Sequence, residues 1–159
     1  MEDQNKDKPI QLGFLDCNIF ENEVYRGGCL VTDKDTYPLE FRITSPIEPT
    51  SLQNILYGGS IVNYIYTELI AIPIIKMLTS DLKFVIVNKR EFLEARLKVN
   101  KPIFYIDQKN NKLISHNKFP QEAKLADQVH DLFTINKLSE PFSRVKAALT
   151  EAHLKKIGE

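Results

Sequence analysis

The stretch Asp127-Gln-Val-His-Asp131 sets two carboxylates and an imidazole on adjacent turns of an amphipathic helical pattern. A carboxylate beside a histidine can orient a general base or take up a metal ion, although an exposed ion pair is the commoner outcome on a helix face. Tyr57-Gly-Gly-Ser60 opens an apolar helical run, and free N–H groups at a helix start favour phosphate. It lacks the G-x-x-x-x-G-K-[ST] spacing, so a glycine break followed by a serine cap is the expectation. Arg26-Gly-Gly-Cys29 lacks G-x-G-x-x-G and falls inside a strand pattern, which leaves dinucleotide binding without support. No G-x-S-x-G elbow is present, and Asp16 disfavours a thiolate on its neighbour Cys17. His116, His130 and His153 share no zinc-ligand spacing with Cys17 and Cys29, so no metal site is expected and both cysteines read as reduced core thiols.

These groups need elements to hold them. With 159 residues and 43% hydrophobic side chains, the chain can bury one core without metal or disulfide support. A single domain over residues 10–159 is expected behind a polar, flexible tail of residues 1–9. Residues 10–16 and 24–33 read as strands, and Gly27 and Gly28 in the second predict a bulge or the close approach of another backbone. In residues 38–45, Leu39, Phe41 and Ile43 alternate strictly with Glu40, Arg42 and Thr44. The expectation is a three-strand antiparallel meander with one face solvated or turned to a partner.

Pro46 and Pro49 end the third strand. Thr50 or Ser51 should cap a short helix burying Leu52, Ile55 and Leu56, and Gly58 and Gly59 should break it. Ser60 then caps a long central helix, kinked near Pro73. Its longest apolar run, Leu69 to Met77, is far below the roughly 20 residues of a bilayer span, so no membrane segment is expected. Residues 83–88 read as a strand covered on both faces, and Asn88 with Glu91 predicts a capping box for a helix over 89–99. A parallel strand at 102–106 comes next, with a return through 113–117. Two helices close the chain, at 120–133 with Leu125, Val129, Leu132 and Phe133 inward, and at 139–157 with Phe142, Val145, Leu149 and Leu154 inward. The class is α+β with a mixed sheet.

The order β-β-β-α-β-α-β-α-α resembles the ribonuclease-H-like topology. That resemblance implies a divalent-metal nuclease with magnesium as cofactor, held by carboxylates on the first strand, the first long helix, the fourth strand and a late helix. The matching positions are Asp16, Glu68 and either Asp127 or Asp131. The departure is Asn88 after the fourth strand, which neutralises no charge and leaves a two-metal site short of carboxylate. The segments 27–33, 38–50 and 56–58 also resemble small bacterial proteins, from which no activity is carried over.

Charge separates the remaining readings. Residues 1–50 carry five basic and ten acidic side chains against 16 and 11 in the rest, so a neutral chain is polarised. Lys83, Lys89, Arg90, Arg96 and Lys98 form a candidate anion patch for a nucleic-acid accessory role, though nucleic-acid modules show a stronger positive balance. Without a complete catalytic constellation, the leading expectation is a cytoplasmic, non-catalytic accessory subunit that binds a protein partner or its own copies. A strand edge, the solvated meander face and the C-terminal helices are its expected surfaces. Glu40, Arg42, Glu48 and Tyr57, which have no packing role readable from the sequence, are the expected contact residues.

Overall fold

The computed structural model describes residues 9–159, so the expected tail, Pro9 apart, lies outside the described residues. Six strands form one mixed sheet in the order β3-β2-β1-β4-β5-β6. They are β1 (Leu12–Phe20), β2 (Val24–Thr32), β3 (Pro38–Ile43), β4 (Phe84–Val87), β5 (Ile103–Asp107) and β6 (Lys112–Ser115). The first three pair antiparallel, β4 and β5 run parallel to β1, and β6 returns antiparallel to β5. The α+β class and the meander followed by parallel strands are as the sequence indicates.

Helices cover both faces of this sheet, and β2 is buried from Tyr25 to Thr32. Among the described residues no face of the meander is left to solvent as expected; its exposed apolar side chains are Leu39 and Phe41 on edge strand β3 and Ile19 near the end of β1. The paired glycines of β2 make this double covering possible. A β-carbon on Gly27 would lie 2.1 Å from Ile70 Cγ2, and one on Gly28 would lie 3.0 Å from Leu149 Cδ2 on the other face. The ladder to β1 stays in register through both residues, and the bulge falls instead at Val31/Thr32 against β3. Close approach is the reason for the glycines, and side chains make it.

The first helical layer starts at α1 (Ser51–Tyr57). Thr50 Oγ1 accepts from the Gln53 amide at 3.0 Å and Gln53 Oε1 accepts from the Thr50 amide at 2.9 Å, a complete capping box. Gly58, at φ +53° and ψ −130°, turns the chain out of the helix. Ser60 does not cap the next helix; its hydroxyl donates back to the Tyr57 carbonyl at 2.6 Å. After one 3₁₀ turn at Gly58–Ser60 come α2 (Ile61–Tyr64), a π-helical stretch at Ile65–Ala71 and α3 (Ile72–Met77). The Ile72 amide reaches the Thr67 carbonyl five residues back, and Pro73 sits in the first turn of α3, where a missing donor costs little. A widened turn therefore stands where a proline kink is expected.

Taken whole, Ser51–Met77 is long and apolar enough to cross a bilayer by length and composition, which corrects the count based on Leu69 to Met77. Its second half is core. Ile65, Tyr66, Ile70, Ala71, Ile74 and Ile75 pack with Leu15, Cys29 and Val85 of the sheet. After β4, Arg90–Leu97 winds as a 3₁₀ helix without a side-chain cap, because Asn88 donates to Asp16 Oδ2 at 3.3 Å instead.

The second layer is α4 (Glu122–Leu132) and α5 (Ile135–Leu154), packed on Phe14, Leu30, Ile86 and Phe104 through Val129, Leu138, Phe142, Val145 and Leu149. Helix α5 starts four residues earlier than predicted, with Thr134 Oγ1 accepting from the Lys137 amide at 3.1 Å. Leu132 and Leu154 are exposed rather than inward, and Ala126, Leu138 and Ala152 hold the buried positions. Fully buried Arg26 ties this layer down by donating to the carbonyls of Thr44 and Ile157.

Candidate interaction surface

The three acidic positions implied by the nuclease resemblance are held by three different parts of the fold. Along β1, Leu15 and Cys17 face the central helix while Phe14 and Asp16 face α5. Asp16 is fully buried and its oxygens are occupied: Lys89 Nζ and the Cys17 amide at 2.8 Å donate to Oδ1, and Asn88 donates to Oδ2. Lys146 Nζ stands 4.0 Å from Oδ2. Glu68 lies in the opposite layer and pairs with Lys98 at 2.7 Å. Asp127 and Asp131 are exposed on α4, which packs along β6, three strand spacings or roughly 14 Å from β1.

Among the described residues, no group of three or more His, Cys, Asp or Glu side chains is placed to hold a metal ion. This donor set does not fit magnesium, because an ammonium group occupies the carboxylate that a cation would need. His130, grouped with Asp127 and Asp131 in the sequence, bonds the Asn111 carbonyl at 2.9 Å.

The five basic residues do not form one face. Lys83 precedes β4 and Lys89 and Arg90 follow it, at opposite ends of the strand. Lys89 is committed to Asp16 and Lys98 to Glu68. Arg96 bonds both oxygens of buried Glu122 at 3.1 Å with its guanidinium 3.8 Å above Phe119, which pins α4 to the 3₁₀ helix. Arg90 lines a cleft of about 270 Å³ with Glu94 and His116. His116 Nδ1 accepts from the Lys118 amide at 3.0 Å, so its proton is on Nε2, 3.1 Å from Glu94 Oε1. Both ring nitrogens are thus occupied within the fold. Burial raises both thiols, Cys17 and Cys29, to about 12, which leaves neither as a nucleophile.

Two of the four expected contact residues, Glu40 and Arg42, make bonds within the fold. Glu40 Oε1 accepts from the Ser80 hydroxyl at 2.6 Å and the Ser80 amide at 2.9 Å, its Oε2 accepts from Arg42 at 2.7 Å, and the Thr79 amide lies within bonding distance of both oxygens. Burial works to raise this carboxyl, but the bonds from Ser80, Arg42 and the two amides outweigh it and hold the pKa at about 2. Glu40 and Arg42 therefore fasten edge strand β3 to the turn after α3.

The other two, Glu48 and Tyr57, flank the most unusual surface of the molecule. Helix α1 contains no buried residue. Leu52, Ile55 and Leu56, spaced as a core-facing stripe, are 63%, 75% and 72% exposed. Behind the ridge, Ile47, Glu48, Pro49, Gln53, Tyr64 and Leu69 line a groove of about 130 Å³. Tyr57 stacks on Tyr64 with ring centroids 4.4 Å apart, joining ridge to groove. The predicted burial of this stripe fails because nothing in the described residues lies opposite it. One signal was available: between Arg42 and Glu68, Glu48 is the only charged residue.

No protein-family model matches the sequence, and no curated protein is significantly similar to it.

Proposed function

We propose that this chain is a non-catalytic binding subunit acting by protein–protein contact, with α1 and the groove behind it as the contact surface. The observation that carries this reading is the bare stripe Leu52, Ile55 and Leu56 on a fully capped helix. An ordered, contiguous apolar patch of this kind costs solubility and is the usual mark of a docking site. The reading places the chain in the cytoplasm, in keeping with two buried free thiols.

The test is capture from native-host extract on immobilised wild-type chain and on Ile55→Asp. A partner, identical or different in sequence, should be retained by the first and lost by the second while the thermal melt of the monomer is unchanged. Equal retention by both would overturn the assignment of this surface.

A further inference from the structure

Resting on that reading, we infer that the occupant of the α1 surface is a second copy of the same chain, docked about a two-fold axis. A two-fold interface brings a surface patch against itself, so the patch must contain both what protrudes and what receives. Here both are built on α1, whose Gln53 lines the groove. The ridge of Leu52, Ile55 and Leu56 adjoins a groove of about 130 Å³, close to the roughly 150 Å³ that loss of one large aliphatic side chain opens in a packed core. One copy's ridge side chain has a receptacle of the right size on the other.

Charge points the same way. A two-fold contact sets like charge against like, which penalises charged patches, and the 25 residues from Ile43 to Thr67 include one charged side chain, Glu48. The same stretch offers no cation for an anionic membrane surface and no charge pattern by which an acidic or basic protein would recognise it. Area is sufficient as well. Leu52, Ile55, Leu56 and Tyr57 together expose on the order of 400 Å², about half of the ~800 Å² each partner gives to a standard interface, and the groove walls with the polar rim of Ser51, Gln53 and Asn54 can supply the rest.

Sedimentation of the full chain, from micromolar to sub-millimolar concentration, tests this directly. Wild type is expected to reach twice the monomer mass, and Ile55→Asp and Leu52→Lys to weaken the dimer by about 30-fold or more, with melts taken at concentrations where wild type is monomeric unchanged. A dimer that persists in both variants would overturn the placement. Wild type that stays monomeric throughout overturns the second copy as occupant. In that case, loss of a different captured partner by Ile55→Asp still upholds α1 as a contact surface, whereas flotation of the monomer with lipid vesicles assigns the surface to a membrane.

Discussion

Ile70, in the π-helical stretch of the central helix, lies so close over Gly27 of β2 that a β-carbon there would meet its Cγ2 at 2.1 Å. Gly27→Ala should therefore destabilise the fold by about 1–3 kcal/mol, the cost of overpacking a filled core. Ile70→Ala, costly alone, should give back part of that loss when combined with it. Urea unfolding of the two single variants and the double variant measures the coupling, and strict additivity would show that the two positions do not press on each other.

The buried Asp16–Lys89 pair makes a second prediction. Asp16→Ala should cost about 3 kcal/mol, the low end for a broken buried pair, because the Lys89 side chain is partly exposed and its ammonium can turn to water once released. Millimolar magnesium should leave the melting temperature of the wild type unchanged. A rise in melting temperature with magnesium would mean that a cation displaces the lysine.

Glu40 gives a pH signature. Its folded pKa of about 2 lies below the ordinary 4.5, so its contribution is fully present above about 4.5 and is lost as the pH falls toward 2. The stability difference between wild type and Glu40→Gln should accordingly be constant from neutral pH down to about 4.5 and shrink below it. A gap that instead widens on acidification would falsify the bonding assigned to Ser80 and Arg42.

Apolar residues on the two helical layers should respond in opposite ways. Leu149→Ala, under Gly28, should cost about 2–5 kcal/mol, whereas Leu56→Ser should change monomer stability by no more than about 0.5 kcal/mol. Measuring both in Ile55→Asp removes any contribution from association. A large loss at Leu56 would mean that α1 belongs to the core.

The strand pattern was legible because it is local. Alternation in residues 38–43 and the unbroken apolar run 84–87 depend on no distant partner, and Phe142, Val145 and Leu149 fall inward as their spacing requires. Two of the failures share a cause, which is competition from residues far along the chain. Asn88 has the spacing of a cap yet bonds Asp16, 72 residues away, and Glu40 finds its partners 39 and 40 residues on. Periodicity also states which side chains share a face, not whether anything lies across from them. That is why Leu52, Ile55 and Leu56 read as core and are bare.

Gly58 stands between these two kinds of helix with open space where its β-carbon would be. Its φ of +53° with ψ of −130° is a conformation that side chains rarely adopt, and this turn, with the Tyr57–Tyr64 stack at one end of α1 and the Tyr25–Ile47 bridge before the other, sets the angle at which the ridge is held out. Behind that turn the core is packed against Gly27, where an added methyl group would press into Ile70; ahead of it, none of the seven residues of α1 is buried. Such a division lets the outer helix vary its side chains at almost no cost to folding.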